Sequence, residues 1–349
     1  GALPGERVVV RLLKKRPNFD EAEVVTIVKP SQVRVEAKCV HFGICGGCSL
    51  QHMNEQAQLS HKQNVLLELL RHHAEILPEV VCKPIPSAQW GYRKKARLGV
   101  KWVKGKDGIV IGFREKSKSF ITNSSRCEVL DPRVGEKIED LKLLIEELTI
   151  ADQIPQLEVA ITKHVTSIII RHLAPMSAED MVILKRFGKE HDFYFYLQSG
   201  GADTVVPLEG SFKTLSYDMD GLVIPFSPGD FTQINSGVNE EMVKKVLEYL
   251  EPEKEDKILD LYCGIGNFSL PMAANGSKVQ GYELDQNMVS TAKMNAENNN
   301  ISKCEFFTFD LNDVCALDSL DISGMNKVLL DNFNSSEKAM KKLLEICSD

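Results

Sequence analysis

The stretch Lys257-Ile-Leu-Asp-Leu-Tyr-Cys-Gly-Ile-Gly-Asn-Phe-Ser-Leu270 constrains this chain more than any other. Ile258 to Leu261 has the composition of a buried strand. Gly264 and Gly266 can take backbone angles closed to other residues, so a ligand can come close to the main chain. A helix is expected to open at Asn267, and its free N–H groups and positive dipole end suit an anionic or polar ligand. Strand, glycine turn and helix in that order predict the first βα unit of a doubly wound α/β sheet.

The type of cofactor follows from the neighbours of the turn. A dinucleotide fingerprint places a third glycine where this chain has Ser269, which weakens that reading. Asp260 ahead of the turn and Glu283 at the end of Lys278–Glu283 point to S-adenosylmethionine, because an acid there can accept hydrogen bonds from ribose hydroxyls. Asp310 and Asp331 close the following strands in the same manner. A glycine turn with only a structural role is the alternative. Strands are expected at 257–261, 278–283, 304–309 and 326–330, with helices at 267–274, 286–299 and from Ser336 to Ile346. These form βα units of a parallel sheet. Doubly wound methyltransferase sheets have about seven strands, so this one is expected to be incomplete at its C-terminal end.

With 349 residues, 43% hydrophobic and 26% charged, the chain has room for two or three globular domains. No apolar run is long enough to span a membrane. Gly1 stands where an initiator methionine is expected, as in a chain that has lost its natural beginning. Nine cysteines without a secretory leader imply a reducing cytoplasm, where thiols serve metals or catalysis. The net charge of −7 is unevenly spread. Between Tyr92 and Ser119 ten Lys/Arg face only Asp107 and Glu115, a local balance of +8. One basic face on an acidic body is the footprint of a selective nucleic-acid binder.

Residues 1–38 alternate in the β manner at Val8–Leu13, Ala22–Ile27 and Val33–Glu36, with Arg11, Lys14, Lys15 and Arg16 near the first connection. They read as part of a small nucleic-acid-binding barrel or as a solvated meander. Then follow Cys39, Cys45 and Cys48, spaced C-x5-C-x2-C among glycines that let the backbone wrap a metal centre. Cys127 leads Cys82 as the fourth thiolate. Zinc and an iron–sulfur cluster both accept four cysteines, and three close thiolates plus one distant favour [4Fe–4S] over zinc. His41 and His52 read as ordinary histidines.

Helical spacing of Leu59, Val65, Leu66, Leu69 and Leu70 predicts a helix from Glu55 to Ile76. The basic window falls on a hairpin of Ala96–Trp102 and Gly108–Phe113, with Trp90, Tyr92 and Trp102 interleaved. Aromatics beside Arg93, Lys94 and Arg97 suit stacking on unpaired bases with phosphate contact; a solvated hairpin is the alternative. Helices at 134–148 and 176–191, a hairpin at 157–173, and strands at 193–198 and 214–226 around Asp220-Gly221 follow. A turn-rich loop, Ser227–Asn235, then leads into a helix ending at Leu250.

The cysteine run with Cys127, Trp90-Gly-Tyr-Arg93, Gly229-Asp-Phe-Thr-Gln-Ile-Asn235 and Asp260-Leu-Tyr-Cys-Gly-Ile-Gly-Asn267 occur in one order. Together they resemble the bacterial RNA uracil-5-methyltransferases, most closely their 23S ribosomal RNA branch. The resemblance implies a partial N-terminal TRAM (OB-like) domain at 1–38 and a β-rich central iron–sulfur and RNA-binding domain at 39–50 and 84–220. A class I methyltransferase domain would take 51–83 and 221–349. It further implies cluster ligands Cys39, Cys45, Cys48 and Cys127, and cofactor contacts Gln233, Tyr262, Asn267, Glu283, Asp310 and Asp331. A monomer acting on ribosomal RNA is expected. In such enzymes a cysteine thiolate adds to C6 of uracil, C5 takes the methyl group, and a carboxylate base removes the C5 proton.

The chain departs from the family in two places. Asp331-Asn-Phe-Asn334 replaces an Asp-Pro-(Pro/Ala)-Arg loop, losing the arginine and the proline stiffness. The family's Ser-Cys-Asn nucleophile and glutamate base are expected beyond Asp349, so no catalytic residue is expected within this chain. A catalytically inactive RNA-binding paralogue and a transfer-RNA methyltransferase are the competing readings.

Overall fold

Alternation in the first thirty residues produces one antiparallel hairpin, β1 (Arg7–Lys15) with β2 (Asp20–Lys29). The computed structural model describes residues 1–103, 108–331 and 337–348. The strand expected at Val33–Glu36 does not form. Its backbone is taken by the segment after the cysteines: Val35 N–H donates to His52 O (3.0 Å) and Asn54 N–H to Val33 O (2.9 Å). Arg34 turns instead to Glu6, whose carboxyl it holds far below the usual carboxylate range.

Helix α1 (Glu55–Leu69) begins where the Asn54 side chain accepts from Ala57 N–H at 2.9 Å, a cap worth about 1 kcal/mol. It ends before the expected Ile76, passing into a wider π turn at Leu70–Ala74. Its apolar spacing makes a helix without burying a residue, and Val65, Leu66 and Leu69 stay exposed. Next come β3 (Lys95–Val103) and β4 (Gly108–Gly112), paired antiparallel with Gly99 opposite Gly112. Ala96, Leu98 and Val100 point into the core, while Arg97 and Lys101 alternate outward. The helix expected at 134–148 is divided into α2 (Pro132–Gly135), capped by Asp131, and α3 (Ile138–Glu147). Ile138, Leu141, Leu144 and Ile145 of α3 are buried. After these follow β5 (Gln156–Ile161), β6 (Thr166–Arg171), α4 (Ala178–His191), β7 (Phe193–Gln198) and β8 (Val205–Pro207), an edge strand that periodicity did not reveal. The six-stranded sheet has the order β4-β3-β5-β6-β7-β8.

A second hairpin, β9 (Leu215–Met219) and β10 (Leu222–Phe226), turns on Asp220 and Gly221, both at positive φ. Then α5 (Ser236–Leu250) leads to β11 (Lys257–Leu261), α6 (Ser269–Ala274), β12 (Lys278–Glu283), α7 (Gln286–Asn298), β13 (Cys304–Thr308), β14 (Lys327–Leu330) and α8 (Glu337–Ser348). The four strands are parallel in the order β13-β12-β11-β14, which puts the switch in winding direction between β11 and β14. Ligands of doubly wound sheets bind at such a point, beyond the strands' C-terminal ends.

Both faces of this sheet are covered, which is why β11 is so apolar. Ile258 joins Val279, Leu270, Val289 and Phe306 on one face, and Leu259 and Leu261 join Tyr282, Leu317 and Leu343 on the other. Each of these buried side chains stabilises the fold by about 1.5–3 kcal/mol. Lys327 and Asn326 bind the Asp256 carboxylate (2.7 and 2.6 Å) and fix the start of β14 beside β11.

The chain divides into two compact units, one of 1–92, 96–158 and 170–187, the other of 93–95, 159–169 and 188–349. Among the described residues no helix is long and apolar enough to cross a membrane.

Candidate functional site

Beyond β11 the backbone leaves the sheet at Tyr262, which takes the left-handed conformation (φ 67°), followed by Gly264 (57°) and Gly266 (92°). Both glycines therefore occupy angles that disfavour a side chain, as their spacing predicts. Tyr282 O accepts from both Tyr262 N–H (2.9 Å) and Cys263 N–H (3.1 Å), tying the turn to β12. The helix opens at Ser269, two residues later than expected.

Glu283, at the end of β12, accepts from Gly264 N–H at 3.2 Å with one oxygen and from Leu284 N–H at 2.8 Å with the other. Its carboxylate is thus fixed at the mouth of the turn. Asp331 lies past β14, its N–H donating to Leu261 O at 3.3 Å, and burial raises its carboxyl above the ordinary range. Asp260 is buried below the turn and accepts from the Ser269 hydroxyl with one oxygen, while its Oδ1 has no partner among the described residues. Burial pushes this carboxyl up to about 7, with Asp331 and Glu283 pushing the same way against the Ser269 hydrogen bond. Ser269, read from sequence as a missing glycine, serves instead as the partner of Asp260. Asp310 stays exposed past β13 and accepts from Asn312 N–H at 2.9 Å.

Gln233 belongs to the loop before α5. That loop is strung on Arg93–Lys95: Lys94 N–H donates to Ile234 O at 2.9 Å, Arg93 bridges Asn235, and Lys95 Nζ donates to Asp230 O. Burial raises the Asp230 carboxyl, with Asp285 pushing the same way against Lys95. At Arg93 and Lys94 the contacts with this loop are made by the main chain. Arg97 lies on the outer face of β3 and pairs with Glu158 at 3.0 Å.

Two residues of this site went unread in the sequence. Tyr217 on β9 and Asn239 on α5 both hydrogen-bond the Asn267 side chain, at 3.0 and 2.8 Å. They stand 50 and 28 positions from it, and no local spacing links them.

In the other unit, Cys39, Cys45, Cys48 and Cys127 line one small cavity with Phe42, Phe113 and Val129. Its loop is tightly wound: Cys45 N–H donates to His41 O (2.9 Å), Gly47 N–H to Cys45 Sγ (3.4 Å) and Cys39 N–H to Gln51 Oε1 (3.1 Å). Burial pushes the Cys127 thiol up, and Cys48 and Cys39 push the same way. His41 accepts from Ser125 N–H at 3.1 Å, so it braces the segment before Cys127. His52 is buried against the Phe42 ring. Cys82 is exposed and not part of the cavity lining. Among the described residues no three His, Cys, Asp or Glu side chains are gathered around a single metal-ion position. Arg126 and Glu128 also line the cavity.

Of the remaining cysteines, Cys263 and Cys304 are packed near Asp260, where burial and that carboxyl keep their thiols protonated. Cys315 is exposed between β13 and β14, and Cys347 lies on α8. Of the Asp331–Asn334 loop, positions 332–334 lie outside the described residues, as do Lys104 and Lys106 of the basic window.

A family model described as tRNA (Uracil-5-)-methyltransferase matches residues 54–334. A 23S rRNA (uracil(1939)-C(5))-methyltransferase of Ralstonia pickettii is 39% identical over 347 residues, 99% of this chain and 77% of the relative. The protein of that name from Nitrosococcus oceani is 46% identical over 314 residues, 89% of this chain and 70% of the relative. A solved Pyrococcus abyssi tRNA (uracil-54, C5)-methyltransferase, in complex with S-adenosyl-L-homocysteine, superposes with a TM-score of 0.71 at 22% identity. The match covers 98% of this chain and 81% of that one, and shows that the fold is shared.

Proposed function

Since the chain belongs to the RNA (uracil-5-)methyltransferase family, we propose that it methylates C5 of a uridine in 23S ribosomal RNA, the counterpart of uracil 1939 in its relatives, with S-adenosylmethionine as methyl donor. The observation that carries the cofactor assignment is the Gly264–Gly266 turn at the switch point, with Glu283 fixed at its mouth. Tyr262, Asn267, Glu283, Asp310 and Asp331, past the C-terminal ends of the strands, and Gln233 in the loop before α5 are the proposed cofactor contacts. Glu283 gives the mouth of the turn a carboxylate that suits a positive sulfonium. When bound, the cofactor supplies the methyl group. Relatives of 39–46% identity over most of the chain favour ribosomal over transfer RNA.

C5 of uracil becomes nucleophilic when a thiolate adds to C6; after methylation a base takes the C5 proton and the C6–S bond breaks. We assign the thiolate to none of the nine cysteines. Four line the cavity, Cys263 and Cys304 are kept protonated near Asp260, and Cys82, Cys315 and Cys347 lie away from the glycine turn in sequence and element. Cys39, Cys45, Cys48 and Cys127 are the proposed ligands of a [4Fe–4S] cluster, with zinc as the alternative; loading would displace the proton that burial holds on Cys127. The β3–β4 hairpin, with Arg97 and Lys101 outward, is the proposed RNA surface. The enzyme would work as a monomer in the cytoplasm.

Deleting the gene and digesting the cell's RNA for mass spectrometry tests this reading. The expected result is loss of one C5-methyluridine from 23S rRNA. Loss from transfer RNA alone would replace the ribosomal reading, and no loss from any RNA would overturn the function.

A further inference from the structure

Asn267 is held by two side chains from outside the glycine turn. Its Oδ1 lies 3.0 Å from the Tyr217 hydroxyl and 2.8 Å from Asn239 Nδ2, and its Nδ2 lies 3.0 Å from Asn239 Oδ1. The two amides thus form a closed pair with one N–H···O bond in each direction. Such a pair has two equivalent settings, because turning both amides over restores both bonds. The Tyr217 hydroxyl removes that equivalence. A phenol donates more readily than it accepts, and Asn267 Oδ1 is the acceptor within its reach. Tyr217 is largely enclosed, and burial holds its proton in place by raising its ionisation well above the usual range.

Asn239 is itself buried and is carried on the first turn of α5, where Asn235 caps the helix by accepting from Val238 N–H at 3.2 Å. Its position is set by a helix start, and that of Tyr217 by a hairpin. Both acceptor positions of Asn267 Oδ1 are thereby filled. One Nδ2 proton goes to Asn239, and the second has no partner among the described residues.

We propose that Tyr217 and Asn239 are positioning residues that lock the Asn267 amide so that it offers the adenosyl cofactor a hydrogen-bond donor and never an acceptor. This rests on the cofactor assignment above. It specifies the chemistry at that point of the ligand: an oxygen or unprotonated nitrogen, not an N–H or O–H.

The test measures S-adenosylhomocysteine binding by calorimetry, with melting temperature beside it. Asn267→Asp is nearly isosteric and keeps acceptors for Tyr217 and for Asn239 Nδ2, yet presents only oxygen to the ligand. Its melting temperature should fall, since a carboxylate oxygen then faces Asn239 Oδ1, yet the protein should stay folded while affinity falls about tenfold or more. Tyr217→Phe frees the amide pair to turn over between two equivalent settings and should weaken binding by about twofold. Tyr217→Phe placed on top of Asn267→Asp should weaken binding no further, because no amide is left to orient. Native-like affinity in Asn267→Asp would overturn the inference, as would an equal Tyr217→Phe loss in both backgrounds. Should Asn267→Asp unfold, the comparison of Tyr217→Phe with Asn239→Asp decides: both should weaken binding at unchanged enthalpy of unfolding, and native affinity in both overturns it. A native protein that binds no S-adenosylhomocysteine would instead refute the cofactor assignment.

Discussion

Asp260 shows how a single side chain can make this fold depend on pH. Its carboxyl titrates at about 7 in the folded chain because it is buried, with Oδ1 unpartnered among the described residues and Asp331 and Glu283 nearby. An unfolded aspartate titrates near about 3.9. The folded state therefore holds a proton that the unfolded state has released across the interval between those values. The resulting stability is fully present below pH 4 and is lost as pH rises through 7, a cost of up to a few kcal/mol in the charged form. Asp260→Asn keeps an acceptor for Ser269 and cannot ionise. It should raise the denaturation midpoint relative to the native protein at pH 8, and the gain should vanish near pH 4. A gain that is the same at both values would place the titration elsewhere. The motif identified Asp260 as important, but its burial could not be read from the motif, since it depends on α6 closing over β11.

At the scale of elements, the β3–β4 hairpin carries the RNA prediction. Reversing Arg93, Lys94 and Arg97 to Glu should weaken RNA binding and flatten its salt dependence by about 0.7–0.9 in logarithmic slope for each phosphate no longer neutralised. The single change Lys101→Glu is the cleaner probe, because Lys101 stands outward on β3 while Arg97 is paired with Glu158. An unchanged slope in the single variant would move the RNA surface off this hairpin. The alternation of Ala96, Arg97, Leu98 and Lys101 made the strand legible. The same signal failed at Val33–Glu36, where alternation is real but the partner is the His52–Asn54 segment, giving an isolated bridge between Arg34 and Met53 in place of a ladder. Helical spacing likewise located α1, yet said nothing of burial, and Val65, Leu66 and Leu69 remain exposed. The glycine turn was the most legible part of the site, since Gly264 and Gly266 are dictated by φ alone. Tyr217 and Asn239 were the least, since their role exists only once a hairpin and a helix meet at Asn267.

For the molecule as a whole, the cavity of four cysteines makes metal content a measurable property of the fold. Anaerobically purified protein should be brown, with absorbance at roughly 400 nm and about four irons per chain. Stoichiometric zinc without iron would exclude the cluster. Cys45→Ser should lose the centre and loosen residues 39–48, seen as faster amide hydrogen exchange there.

The cysteine loop is also stitched to the basic segment that follows β4. Gly46 N–H donates to Arg114 O and Lys116 N–H to Ile44 O, each at 2.8 Å, and Cys45 bridges Glu115. The approach is so close that a Cβ on Gly46 would stand 2.9 Å from Arg114 O. Arg114 and Lys116 are thus tied by their backbones to the loop that carries the thiols. Reciprocity follows: if emptying the cavity weakens RNA affinity by some factor, bound RNA must strengthen retention of the metal by that same factor. Release of whatever iron the purified protein carries to a chelator, followed with and without RNA, would then test that coupling.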